Sequence, residues 1–216
     1  MTEHHIEVKR TARYVTLGEL NENTKNIWFV LHGYGQLVEY FIKKFKVLDD
    51  GQTYIVAPEA LSKFYLKGVG GRVGASWMTR DDRDAEIDDY VSYLNDLYDL
   101  VLEKVEIERP KINLLAFSQG NATIMRWLND GHIECDRLVL WAAYFGKGID
   151  DVIAPDKLQN IKIDFVYGSH DEYLTQIDLP KYVAEIRVDL PHARVLEFDG
   201  NHTIDVHTLQ AITTEL

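Results

Sequence analysis

Residues Ile112-Asn113-Leu114-Leu115-Ala116-Phe117-Ser118-Gln119-Gly120-Asn121-Ala122 form the stretch on which the fold turns. An apolar, β-type run over 112–117 leads into Ser118, and a helical pattern (Ala122, Met125, Trp127, Leu128) leads out of it. Small residues, Ala116 and Gly120, stand two before and two after the serine. A strand that turns sharply into a helix needs them, because the two segments pass close together. The residue at the apex of such a turn is strained and presents its side chain outward, which suits a nucleophile. The plainer reading is a serine that caps a helix after a strand.

Eight apolar or alternating runs flank or include this stretch and read as strands, at 4–9, 12–17, 26–31, 52–57, 112–117, 137–142, 161–167 and 193–198. The first two lie nearly back to back and predict an antiparallel hairpin at a sheet edge. The later runs are almost continuously apolar, as in Ile27-Trp28-Phe29-Val30-Leu31, which is the pattern of strands buried on both faces. Helical patterns fill most of the gaps, and strands alternating with helices imply parallel pairing through crossovers. The expected architecture is an α/β single domain over residues 1–216, with a mostly parallel eight-stranded sheet and helices on both faces. The glycine-rich spot Gly68-Val69-Gly70-Gly71, continuing to Gly74, reads as one mobile loop.

Composition narrows the function classes. The chain has 216 residues, 46% hydrophobic and 27% charged, with one cysteine and a formal net charge of −12. This is a globular mix. A single thiol excludes an internal disulfide framework and a Cys-rich zinc module. Surplus acid disfavours nucleic acid and anionic membrane as partners. Much of that surplus lies in 81–108, which holds eleven acids and only Arg83 and Lys104 as bases. Ile87, Val91, Leu94, Tyr98, Val101 and Val105 recur there at helical spacing, predicting a helix over 82–108 that ends before Pro110. Most acids fall off the stripe, and Asp81, Asp82 and Asp84 fall in the expected first turn, so the cluster reads as a solvated helix face. The N-terminus, MTEHHIEVKR, lacks the apolar core of a secretory signal, and no run of about 18 apolar residues occurs. A cytoplasmic location without a membrane span is expected.

A nucleophilic serine needs a base. Catalytic groups in α/β sheets gather at the carboxyl ends of strands, which selects His32, His170 and His202 among the eight histidines. His4, His5, His132, His192 and His207 read as surface or turn residues. An orienting acid is offered by Asp171 or Glu172, in Gly168-Ser169-His170-Asp171-Glu172, with Asp199 a weaker rival and Asp164 at the wrong strand end. The chain order Ser118, Asp171, His202 is that of α/β-hydrolase triads. An oxyanion site needs two N–H donors, one from the residue after the serine, Gln119, and one from an earlier strand–helix loop. Leu31-His32-Gly33-Tyr34-Gly35-Gln36 fits the second, with Tyr34 as donor. Its glycines lack both phosphate-loop spacings. Cys135 precedes a strand rather than following one and reads as a structural thiol. The strand-end aromatics Tyr34, Trp77, Tyr144, Phe145 and Tyr173 are either ordinary packing or the wall of an apolar acyl slot.

These motifs resemble the phospholipase/carboxylesterase group of α/β-hydrolases, which includes the acyl-protein thioesterases. The resemblance rests on Leu31-His32-Gly33-Tyr34-Gly35, Ser76-Trp77, Ala116-Phe117-Ser118-Gln119-Gly120, Gly168-Ser169-His170-Asp171 and Gly200-Asn201-His202. It implies Ser118 as nucleophile, Asp171 as acid, His202 as base, Tyr34 and Gln119 as backbone oxyanion donors, and Trp77 beside the acyl pocket. Ala116, Asn121, Glu172 and Gln36 depart from the residues usual in the group. The implied activity is hydrolysis of carboxylic esters, with thioesters and lysophospholipids as related substrates, through an acyl-enzyme and without a metal or organic cofactor. An acyltransferase using the same triad and a non-catalytic binding protein on the same fold are the rival readings.

Overall fold

The computed structural model describes residues 1–105 and 109–213. Its centre is set by the strands β2 (Asn26–Leu31) and β6 (Lys111–Phe117), which pair in parallel from Asn26↔Lys111 to Leu31↔Ala116. Successive strand side chains point to opposite faces. Ile27, Phe29 and Leu31 therefore enter one apolar cluster with Leu114 and Ala116, while Trp28 and Val30 enter the other with Leu115 and Phe117. Neither face of this pair meets water, which is why both runs read as continuously apolar.

Five more strands complete the main sheet: β1 (Tyr14–Leu17), β3 (Thr53–Pro58), β7 (Arg137–Trp141), β8 (Lys162–Gly168) and β9 (Arg194–Phe198). The order is β1-β3-β2-β6-β7-β8-β9, parallel throughout except for antiparallel β1 against β3. Helices cover both faces. Helix α1 (Val38–Phe41), continuing as a 3-10 turn to Leu48, and α5 (Val206–Thr213) bury Phe41, Phe45 and Leu209 on one side. Helices α2 (Arg83–Leu102), α3 (Gly120–Asp130) and α4 (Leu179–Asp189) bury Leu94, Trp127 and Ile186 on the other.

Three expectations need correction. Among the described residues the sheet has seven strands, because 4–9 is not a strand: Ile6 and Val8 alternate in sequence but stand exposed, with no sheet face to cover them. The edge strand β1 accordingly pairs with β3 and not with an N-terminal hairpin partner. Gly68-Val69-Gly70-Gly71 lie in a loop as expected, but the loop joins a hairpin, β4 (Ser62–Tyr65) against β5 (Val73–Ser76), and Gly74 belongs to its second strand. The acidic helix begins at Arg83, with Asp82 in a left-handed conformation before it, so Asp81 and Asp82 lie outside the first turn. Residues 106–108, the end assigned to that helix from sequence, lie outside the described residues. Asp84, Asp88, Asp89, Asp96 and Asp99 are exposed, as a solvated face requires. Among the described residues no helix is long and apolar enough to cross a membrane.

Candidate active site

Ser118 follows the last residue of β6 and adopts φ +54°, the left-handed region that an L side chain enters at a cost of about 1–2 kcal/mol. Hydrogen bonds hold it there. Its N–H donates to the Trp141 carbonyl (3.0 Å), and its own carbonyl accepts from the Asn121 N–H (3.0 Å). The buried Asn121 side chain adds a second tie, with Nδ2 donating to the carbonyls of Ser118 (2.8 Å) and Trp141 (2.9 Å). Sequence reasoning treated Asn121 only as a departure from the family pattern, and no local signal marks this role. Gly120 is required by close approach: a Cβ there would lie 2.8 Å from the Leu31 and His32 carbonyl oxygens. Ala116 is fully buried beneath the turn.

The other candidate groups arrive on loops at the same carboxyl ends of β2, β8 and β9. The loops after β8 and β9 are knit together by His170 N–H to the Gly200 carbonyl (3.0 Å) and Ser169 N–H to the Phe198 carbonyl (2.9 Å). This brings His202 to Asp171, with Nδ1 2.6 Å from Oδ2. Asp171 is fully buried, and its Oδ1 accepts the N–H groups of Tyr173 (2.9 Å) and Leu174 (3.1 Å). The His202 ring lies between Phe117, the neighbour of Ser118 (centroids 4.7 Å apart), and Tyr173 (4.6 Å). Glu172 is exposed and meets His202 at the backbone, whose N–H donates to Oε2 at 3.1 Å. Bonds from its own N–H and that of His202 hold its carboxyl below the ordinary range. Asp199 pairs with the exposed His170 (3.2 Å), away from His202. The five histidines assigned to the surface are all exposed.

His32 is buried, and its two nitrogens have separate tasks. Nε2 accepts the Ala60 N–H (3.1 Å), so the proton sits on Nδ1, which donates to the Gly33 carbonyl (2.8 Å). Burial holds this imidazole below its ordinary pKa and keeps it neutral. The Gly33 carbonyl and the Tyr34 N–H belong to one planar peptide. Fixing the oxygen therefore aims the N–H the opposite way. Neither the Tyr34 nor the Gln119 N–H has an acceptor among the described residues. The hairpin β4–β5 braces this loop, with Gly35 N–H to the Ala75 carbonyl (2.8 Å) and Ala75 N–H to the Gln36 carbonyl (3.1 Å).

Solved structures similar to this chain include the Zea mays acyl-protein thioesterase 2 (TM-score 0.70, 14% identity, covering 95% of this chain and 99% of that one). Esterase PE8 superposes with a TM-score of 0.63 at 20% identity (95% and 99%). A phospholipase/carboxylesterase from Dyadobacter fermentans does so with 0.64 at 15% identity (96% and 97%). The chain has the α/β-hydrolase fold. No family model matches the sequence, and no curated protein matches it either.

Within this hydrolase fold, the strand-end aromatics weighed as an acyl-pocket wall have separate surroundings: Tyr34 is exposed against Phe64, and Phe145 is buried. Trp77 is buried, with its indole N–H donating to the His32 carbonyl (2.8 Å) and its ring against the His32 imidazole. Tyr144 is exposed and packs on Tyr182, while Tyr173 is exposed beside His202. An open cleft of about 390 Å³ lies elsewhere, lined by Gly35, Leu37, Tyr40, Phe41, Phe117 and Ile204 among others. The Cys135 thiol donates to the Arg137 carbonyl (3.1 Å), and burial pushes it up, away from a reactive thiolate. Among the described residues the one group with metal-ligand spacing is Glu3, His5 and Asp82, all exposed.

Two further supports escaped sequence reasoning. The Gln119 side chain accepts the Trp77 N–H (3.1 Å) and donates to the Met78 carbonyl (2.9 Å), tying the serine turn to the segment after β5. Buried Glu59, just after β3, binds Arg13, Lys63 (2.8 Å) and the Val38 N–H that opens α1 (3.1 Å). Burial alone would raise its pKa, but these partners outweigh it and hold the carboxyl at about 2.

Proposed function

We propose that this protein is a serine hydrolase of small carboxylic esters. The observation that carries the reading is the contact of His202 Nδ1 with the buried Asp171 carboxylate (2.6 Å), with the same imidazole against the residue that precedes the strained Ser118. A proton held on Nδ1 by Asp171 leaves Nε2 as the basic lone pair. In the proposed cycle His202 takes the Ser118 proton as Oγ attacks the acyl carbonyl. Asp171 holds the imidazole in the needed tautomer and stabilises its cation. The Tyr34 and Gln119 N–H groups receive the developing oxyanion. His202 then protonates the leaving group, and water cleaves the acyl-enzyme by the same path. Similar solved structures described as esterases and a thioesterase support the reading, with thioesters and lysophospholipids as related substrates.

The test is covalent labelling by a fluorophosphonate probe together with turnover of activated esters. Wild type is expected to label and turn over, and Ser118→Ala to do neither while keeping its circular dichroism. Labelling that persists in Ser118→Ala overturns the assignment.

A further inference from the structure

The cleft beside the serine turn carries a charge pattern opposite to that of the molecule. It runs from the oxyanion loop at Gly35 and Gln36, past Phe117, to Thr203 and Ile204, which follow His202. Its lining includes two charged side chains, Lys44 and Arg72, and no carboxylate, although the chain as a whole has 35 acids against 23 bases. Lys44 leans across the cleft, with Nζ 3.5 Å from Thr203 Oγ1. Arg72 enters from the β4–β5 hairpin, whose strand β5 is hydrogen-bonded to the oxyanion loop. Neither cation forms an ion pair with a carboxylate of the described residues. The rest of the wall is largely apolar: Leu37, Tyr40, Phe41, Val73 and Phe117.

An uncharged acyl chain needs no cation beside its slot, and neither of these exposed cations is answered by a carboxylate of the cleft lining. A ligand with a negative group gains charge-assisted hydrogen bonds from an ammonium and a guanidinium. We propose, building on the serine-hydrolase reading, that this cleft selects esters carrying a second, anionic group, a carboxylate or a phosphate, held by Lys44 and Arg72 while the ester carbonyl lies over Ser118. Surplus acid over the remaining surface repels such substrates at long range, so the selection is local to the cleft and screened by salt.

The experiment compares kcat/KM within matched pairs. The acyl half is tested with the mono-para-nitrophenyl ester of adipic acid against para-nitrophenyl hexanoate. The leaving-group half is tested with meta-acetoxybenzoate and meta-acetoxyphenyl phosphate against phenyl acetate. Wild type is expected to favour the charged member of at least one pair by about tenfold at low salt, with the preference shrinking as salt rises. Lys44→Glu and Arg72→Glu are each expected to cut that ratio about tenfold, mainly through KM, and Lys44→Arg to keep it. Lys111→Glu, at the opposite end of β6, should leave the ratio in place. The better charged leaving group identifies carboxylate or phosphate as the natural anion. Equal turnover of charged and neutral members, or ratios unmoved by both reversals, overturns the inference and leaves the hydrolase reading standing. Absence of turnover of every ester together with absence of Ser118 labelling overturns both.

Discussion

His202 Nδ1 and Asp171 Oδ2 are 2.6 Å apart, and the second carboxylate oxygen of Asp171 is held by two backbone N–H groups. A carboxylate satisfied on both oxygens cannot swing away, so the imidazole it contacts inherits one orientation and one tautomer. Asp171→Asn presents an amide that can donate to Nδ1 and so stabilise the wrong tautomer. In the proposed mechanism it is expected to lose about a thousand- to ten-thousand-fold in kcat. Glu172→Gln, at a side chain that meets His202 through the backbone N–H, is expected to stay within about fivefold of wild type. Steady-state kinetics on one activated ester decides, and the reverse ranking transfers the acid's role to Glu172.

The left-handed backbone of Ser118 makes a stability prediction separate from chemistry. Ser118→Ala retains the φ +54° strain, whereas glycine enters that region freely. Glycine also gains entropy in the unfolded chain, which offsets part of the relief. Ser118→Gly is expected to exceed Ser118→Ala in unfolding free energy by about 0.5–1 kcal/mol, with both inactive. Urea denaturation of the two variants measures this. A glycine variant less stable than the alanine one contradicts the strain.

His32 provides the third prediction. Its Nδ1–H fixes the Gly33 carbonyl and thereby the direction of the Tyr34 N–H. Removing that bond by His32→Phe is expected to lower kcat about a hundredfold, the scale of losing one oxyanion donor, with KM changed less than threefold. Because burial keeps His32 neutral, it does not supply the acid limb of the pH–rate profile. The acid limb should therefore not move in the variant. A shifted limb with unchanged kcat overturns the positioning role.

What was legible in the sequence follows from how each segment is stabilised. β2 and β6 read clearly because both faces are covered, leaving short, largely apolar runs set off by the helical patterns between them. The residues 4–9 alternate equally well, but alternation records a capacity to pair and not the presence of a face to pack on. The β4–β5 hairpin was hidden because its strands are short and only partly covered, and its identity comes from bonds to the Gly35-Gln36 loop rather than from its own pattern. Ser118 and its flanking Ala116 and Gly120 were legible because close approach restricts residue size. The supports from the Asn121, Gln119 and Glu59 side chains were not, because each binds at least one partner distant in sequence that no spacing reveals.

Glu59 carries the last prediction. Its carboxyl has an ordinary pKa of 4.5 and is held at about 2 in the fold by Arg13, Lys63 and the Val38 N–H. A depressed carboxylate contributes stability that is fully present above its unfolded value and is lost as pH falls through its folded value. The contribution should therefore be complete at neutral pH, decline below about pH 4.5 and vanish near pH 2. Arg13 and Lys63 are each nearly half exposed, so solvent screens part of the attraction. Glu59→Gln is expected to lose about 2 kcal/mol at neutral pH, less than the full shift implies. The glutamine cannot titrate, so the gap between variant and wild type should close as the solution is acidified. Unfolding free energies from urea titrations at neutral and acid pH provide the comparison. A gap that stays constant with pH would mean that Glu59 supports α1 through packing and neutral hydrogen bonds, and that its charge contributes nothing.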